Sequence, residues 1–431
     1  MNSSKSRNHI TNPRLIWSRR FCWVGSIGSF IYSKPGTSEY LQIDTFALVR
    51  GGLPIICYFL SLILVFKSEL IAPRRNGAPE FFLGSFVLYA LLSSLWSFNP
   101  FGTLLKAINL TFALLCIMRI PSLYQDFASS ARGVFRCTNL FITLGLLEFL
   151  IFPELVYYSS SPFEAKRFGI LVPQIGSNLL GIVILFSFAG MLTGLTFQSE
   201  RWRRFKLFYA ALLLLMLVLA HSRLILVTVV IAGSYLVLKL VKSISIRSLK
   251  GVIMRLSLFF IFFVIFALIT LNRNFQEMFQ DYFNRGQDSR GISTLTGRTS
   301  VWTEALNFGQ ERPWFGFGFY SGHRYALGSE SNIVKNHSNL DNTWIEVYID
   351  LGLVGVLILF TAVLLALKRI STSRDIHRGV FVALYLVIVS NSLYNPGITT
   401  PSSTLLLFGY LVSNSRRLKF LDEANKISQK E

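Results

Sequence analysis

FYAALLLLMLVLAHSRLILVTVVIAGSYLVLKL, residues 208–240, is apolar almost throughout, and its one polar cluster is His221–Ser222–Arg223. A single crossing takes roughly 20 apolar residues over about 30 Å of hydrocarbon. This run is too long for one span, so it reads as two helices joined by a very tight turn at His221–Ser222–Arg223. Similar runs recur on both sides, near 21–35, 46–66, 81–98, 101–118, 134–152, 177–198, 256–271, 345–366, 379–395 and 401–413. With 205–220 and 224–241 the expectation is an all-α polytopic integral membrane protein of about twelve transmembrane helices. The first run, Phe21–Tyr32, is short and Lys34–Pro35–Gly36 follows at once, so a re-entrant or surface helix fits it as well.

Composition agrees. Of 431 residues, 52% are hydrophobic and only 15% charged, against about 25% in a soluble domain. The net charge of +20 would fit a nucleic-acid binder if the basic residues shared one soluble face, but they are scattered between apolar runs. Segments 1–20, 67–80, 119–133, 199–207 with ERWRRFK, 239–255, 367–378 and 414–431 hold 28 of the 42 Lys and Arg residues. Short basic loops stay cytoplasmic. Both termini are therefore expected inside, and nucleic acid is not an expected partner. Two long connections, 153–176 and 272–344, lie outside, the second between spans nine and ten, with tight outer turns near 99, 221 and 397.

No cleavable signal peptide is evident, because the basic N-terminus runs into apolar sequence without a small-residue cleavage site. Cys22, Cys57, Cys116 and Cys137 fall in or beside expected spans at no metal-ligand spacing, so neither disulfides nor a zinc site is expected. There is no internal repeat. The whole chain, 1–431, reads as one membrane domain.

Polar residues at membrane depth are functional candidates by default, and here they gather toward the outer side. Glu148 lies in the outer third of span five. Lys166 and Arg167 precede span six in KRFGILVPQIGSN, and SNSLYNPGITTPSST (390–404) joins the last two spans. Lys166 and Arg50 equally fit lipid-phosphate anchors. Arg223 is harder to explain structurally, because tight turns favour Gly, Pro or Asn.

The outer segment 272–344 has helical pattern of its own. Phe275, Met278, Phe279, Tyr282 and Phe283 recur at helical spacing, which predicts a helix lying on the bilayer surface. A second helix is expected from about Thr299, with Arg298 just before it and Val301, Trp302, Ala305 and Leu306 on one face. RPWFGFGFYSGHR (312–324) then packs a proline, three glycines and five aromatics into one turn, suited to lying close to a ligand or to another backbone. Its rings fit either sugar stacking or packing at the membrane interface.

Read in order, TGRTSVWTEALNFGQERPWFGFGFYSG (296–322) and DNTWIEVYIDLGLVG (341–355) resemble the core of the O-antigen ligase and polymerase family. The shared pattern is an arginine, a nearby tryptophan, a Pro-aromatic-Gly-aromatic-Gly turn, and a polar pair about ten residues before a glycine in the returning helix. Ser222–Arg223 and the stretch Arg167, Gly169, Asn178 also look like the family's outer arginine motifs. The resemblance covers roughly 165–365, the expected catalytic core. One departure is plain: the family often has His-Asn at the polar pair, with the histidine as base, where this chain has Asp341–Asn342 and a histidine, His337, four residues upstream. In a helix His337 and Asp341 would share a face; in a loop they need not.

The resemblance implies a glycosyltransferase of the bacterial cytoplasmic (inner) membrane, without metal or other cofactor. Its donor would be a glycan on undecaprenyl diphosphate and its acceptor a second lipid-linked glycan, with membrane lipid and a chain-length regulator protein as further partners. Arginine suits diphosphate oxygens better than lysine, and Arg223, Arg298 and Arg167 are the candidates. Trp302, Trp314 and Asn342 are implied glycan or diphosphate contacts. His337 or Asp341 would accept the proton of the attacking hydroxyl. The Asp341 departure favours a polymerase over a ligase that passes polymer to lipid A core or to protein. A transporter or flippase would typically show internal repeats and helices broken near mid-membrane, whereas this chain's polar residues cluster on the outer side around a large structured loop.

Overall fold

The structure, a computed structural model, describes residues 13–30, 45–65, 77–124, 127–158, 167–172, 175–193, 203–220, 298–328, 340–372, 378–395 and 397–414. These form helices α1 (Pro13–Gly28), α2 (Thr45–Val65), α3 (Ala78–Leu92), α4 (Pro100–Arg119), α5 (Phe127–Ile151), α6 (Ser177–Leu192), α7 (Arg203–Leu219), α8 (Arg298–Gly309), α9 (Ser321–Gly328), α10 (Thr343–Thr372), α11 (Arg378–Asn391) and α12 (Ser403–Asn414). All but α8 and α9, ten helices, fall on expected spans. The other two expected spans, 224–241 and 256–271, and the expected surface helix at 275–283 lie outside the described residues. Four stretches are by themselves long and apolar enough to cross a membrane: Ala78–Leu95, Pro100–Leu123, Ala128–Ile151 and Thr343–Thr372.

The first helix corrects the expectation of 21–35. It begins at Pro13 and stops at Gly28, well before Lys34. Its polar first half is bound to protein: Arg19 donates to the Leu123 carbonyl at 3.1 Å and lies over the Tyr124 ring, while Trp23 donates to the Tyr124 hydroxyl. The only strands among the described residues, Tyr157–Tyr158 and Arg167–Phe168, pair antiparallel in the connection before α6.

Local chemistry fixes the helix starts. Asn99 caps α4 by accepting from the Gly102 amide, with Pro100 in the first turn, where its missing N–H costs nothing. Asn342 caps α10 in the same way, accepting from the Trp344 and Ile345 amides. The interior between the helices is filled by Leu110, Ile117, Phe135, Phe141, Phe186 and Phe408, and the buried Tyr385 hydroxyl donates to the Val363 carbonyl at 2.8 Å. Large apolar side chains also point outward, Leu95 at 81% and Leu150 at 77% exposure. That surface is sensible against hydrocarbon and costly against water.

Cross-links at the helix ends give the bundle two sides. The 93–99 connection is tied to the 315–321 segment, and Thr343 to the connection after α11. At the opposite end the last turn of α10 meets the first turn of α3, where Arg369 Nη1 and Nη2 grip Glu80 Oε1 and Oε2 at 2.6 and 2.8 Å. There, too, Ser413 donates to the Met118 carbonyl. The Arg369–Glu80 pair is nearly buried. Removing one charge from such a pair strands the other, at a cost of about 3–5 kcal/mol, whereas replacing both with apolar groups is close to neutral. Glu80→Gln is expected to lower the thermal midpoint of the purified protein, and Glu80→Leu with Arg369→Met to recover most of it. Equal midpoints for single and double variants would refute the pairing.

α10 is broken inside. Gly352 has φ 66° and ψ −168°, so the chain turns sharply between a first segment, residues 343–351, and a second from Leu353 onward. The second, about 20 residues, is long enough to span on its own. The first is left to carry the site.

Candidate functional site

The site is built where three connections meet the first segment of α10. From one side comes α8, which starts at Arg298 itself rather than after it. Val301 and Ala305 of α8 pack with Phe317, Leu340 and Ile349 into a small second core. Trp302 donates its indole N–H to the Leu340 carbonyl at 2.7 Å and faces Tyr394. This docking brings Arg298 Nη2 to 2.8 Å from Asp341 Oδ2, with both side chains partly open to solvent at 21% and 32%.

Asp341 has φ +51°, one of two left-handed non-glycine residues among those described. It precedes the helix rather than lying in it, so the shared helical face considered for His337 and Asp341 does not form at position 341. His337 itself, like Arg223 and His221, lies outside the described residues. Asn342 is buried and serves as the cap of α10. Arg167 sits in the second short strand, and its side chain is outside the described part. Of the expected site residues, Arg298, Trp302, Asp341 and Asn342 therefore come together at one end of the 343–351 segment. Trp314 lies at the other end, at the kink, where its carbonyl accepts from the Val354 amide and its ring is 61% exposed.

The glycine-aromatic turn lies close to another backbone, one of the two expected roles. Phe317 and Gly318 donate to the carbonyls of Ile349 and Asp350, and Leu353 donates to that of Pro313. Gly316 and Gly352 both have positive φ, and a β-carbon on either would overlap the opposing backbone. Phe317 stacks between Phe98 and Phe308, and Phe319 is buried too, so those rings pack protein rather than sugar. After the turn the chain re-enters helix as α9.

Two expected functional regions prove structural. Glu148 accepts from the Leu171 and Val172 amides at 2.7 and 2.8 Å and so holds the turn before α6. The 390–404 connection turns its polar groups inward: Asn391, Ser392, Ser403 and Thr404 are all buried, with Ser392 and Asn395 bonding Thr343 and Trp344.

Sequence reasoning missed a buried polar centre beneath the turn. Glu346 and Asp350 are spaced by four on one face of α10, the cap residue Asn342 stands four residues before Glu346, and all three are buried. Asp350 accepts from the Tyr320 amide at 2.7 Å, the His323 amide at 2.8 Å and His323 Nδ1 at 2.9 Å. Burial pulls the imidazole down, but the Asp350 and Glu346 carboxylates outweigh it and hold His323 above the ordinary 6.5. A group raised on folding stabilises fully below its unfolded value and loses that contribution as pH rises through the folded one. The thermal midpoint is therefore expected to fall as pH rises above 6.5, and His323→Gln to flatten that slope. An unchanged slope would sink the ion pair. Tyr320, the other left-handed residue, is opposed by burial but brought down to about 8 by Lys106, Arg324 and His323. Among the described residues no three His, Cys, Asp or Glu side chains converge at metal-binding distance, and the four cysteines are buried free thiols.

Residues 208–360 match the family model described as O-antigen ligase. No curated protein matches the chain. The matched segment runs from the apolar stretch that decides the fold, through the Arg298 helix and the glycine-aromatic turn and past Asp341, to the kinked helix that bears Asp350, and over that segment the chain is similar to the O-antigen ligase family.

Proposed function

We propose that the protein is a membrane glycosyltransferase that polymerises undecaprenyl-diphosphate-linked oligosaccharide repeat units on the outer face of the cytoplasmic membrane. The observation that carries the reading is the Arg298–Asp341 ion pair, a guanidinium and a carboxylate 2.8 Å apart and partly open at the head of α10. The acceptor hydroxyl oxygen attacks the anomeric carbon, the bond from that carbon to the diphosphate oxygen breaks, and the hydroxyl proton passes to Asp341. The lipid diphosphate leaves with the bonding electrons. A single displacement of this kind inverts the anomeric centre.

Negative charge grows on the leaving diphosphate, so cations placed there lower the barrier. Arg298 supplies one, in a fork geometry that fits phosphate oxygens, and Arg223 and Arg167 are proposed to add theirs. The pairing gives order to the steps. Arg298 holds Asp341 in the resting protein, and an arriving diphosphate competes for the guanidinium, which frees the carboxylate to take a proton. Asp341 in place of the family's histidine supports polymerase over ligase.

The test is to delete the gene and analyse lipid-linked and surface glycans. Single repeat units without longer chains are expected. Full-length polymer stranded on the carrier would make the protein a ligase, and carrier-linked units trapped inside would make it a flippase; either result overturns the proposal.

A further inference from the structure

Outside the Arg298–Asp341 pair, a second cationic group surrounds Tyr320. Lys106 Nζ stands 4.5 Å from the centre of the Tyr320 ring and Arg324 Cζ 5.2 Å from it. All three side chains are half-buried, so the group keeps an open edge. Lys106 lies seven residues past the Asn99 cap, roughly 10 Å down α4 from the end that faces the site. A lysine at such depth in an apolar helix is costly unless an anion or a polar cavity receives it. Among the described residues no carboxylate comes within ion-pair distance of Lys106; its partner is the tyrosine.

The buried acid that binds the Tyr320 amide does not serve it. The Asp350 carboxylate is already taken up by two backbone amides and the His323 ring. The same bonds hold Tyr320 in its left-handed conformation, a strain that persists only where the surroundings impose it. The result is a fixed phenol flanked by two cations with an open edge, a cradle for an anion larger than one oxygen.

We propose that Lys106, Tyr320 and Arg324 form a second isoprenoid-diphosphate site, which holds the carrier of the acceptor glycan while Arg298 holds that of the donor. This rests on the glycosyl-transfer reading above and deepens it. A polymerase joins two glycans that each ride on a lipid diphosphate, so two polyanions must be bound at once. Like charges cannot share one centre cheaply. The two groups are attached at opposite ends of the 343–351 segment, at Asp341 and Asp350, nine residues or roughly 13 Å apart along the helix. A ligase that delivers to a different acceptor has no need of the second site.

The experiment titrates purified full-length protein, in phosphatidylcholine nanodiscs, with farnesyl diphosphate. Two sites per chain are expected. Lys106→Gln and Arg324→Gln should each weaken one of them by about 10- to 100-fold, the loss of one charged hydrogen bond, and Lys106→Arg should keep it. Arg298→Gln should remove the other, and its persistence in the Lys106 and Arg324 variants shows that those proteins are folded. One site that Arg298→Gln removes and Lys106→Gln leaves intact overturns the second site and spares the transfer reading. Two sites of which the Lys106-dependent one is equally filled by phosphatidylglycerol make it a phospholipid headgroup site, which also overturns the proposal. No saturable binding at all defeats the transfer reading itself.

Discussion

Gly352→Ala is expected to be the most disruptive single methyl group in the described part of the protein. At φ 66° and ψ −168° this position lies where a residue with a β-carbon is strained by about 1–3 kcal/mol. The added carbon also has no room. It would overlap the Trp314 carbonyl and the Phe315 amide, which are backbone and cannot rotate away. Forcing a group into a packed site costs a further 1–3 kcal/mol or so, giving about 2–6 kcal/mol in all. More than stability is at stake, because the same approach of the two backbones carries the bonds from Leu353 to Pro313 and from Val354 to Trp314. If they part, the turn lifts off α10 and Asp350 loses Tyr320 and His323. The variant should therefore unfold at a lower temperature and, even where it is folded, transfer no glycan. Gly316→Ala, which meets Asp350 and Leu351 backbone at positive φ, should reproduce both losses. Gly84→Ala, in α3 with nothing within 4 Å of the added carbon, is the control and should change neither. A Gly352→Ala protein with normal melting and normal transfer would show that the kink does not hold the site.

This double role explains what sequence could and could not disclose. The ten described helices that overlap expected spans were legible because a crossing demands length and apolarity, two properties that survive in a linear count. The exception is instructive. The start of α1 was misplaced because Arg19 and Arg20 break the apolar run, and only the folded protein offers Arg19 the Leu123 carbonyl and the Tyr124 ring. In the site, Arg298, Trp302, Asp341 and Asn342 could be singled out because they stand in one ordered motif. His323 and Asp350 could not be paired in advance, since 27 residues and a turn separate them. Lys106 was overlooked for another reason: in a window of apolar residues one lysine only lowers the average. The available clue was the spacing of Asn342, Glu346 and Asp350, polar residues every fourth position on a helix otherwise apolar. Glu148 shows the reverse error, a carboxylate at membrane depth that serves two backbone amides rather than chemistry.

Asp341→Asn is expected to lower the turnover number by about 10²–10⁴-fold, the usual worth of a positioned general base. Asparagine keeps the size and can still accept a hydrogen bond from Arg298, so loss of fold is not the expected cause. It cannot take up a proton. The Michaelis constant for the lipid-linked donor should change little, whereas Arg298→Ala should raise it along with lowering turnover, because the guanidinium meets the diphosphate in both ground and transition states. The decisive variant is Asp341→His. A histidine at this position restores a group that can accept the proton, so turnover should return to well above that of Asp341→Asn. A base works only when deprotonated, so activity falls as pH drops through its value. With histidine in place that acid limb should move up toward an ordinary imidazole value near 6.5. His337→Gln should leave the limb where it is in the native protein. If Asp341→Asn keeps full turnover while His337→Gln abolishes it, the proton goes to His337 and the Arg298–Asp341 pair is a structural tie. The reciprocal result assigns the proton to Asp341 and makes Arg298 the guard that releases it when a diphosphate arrives.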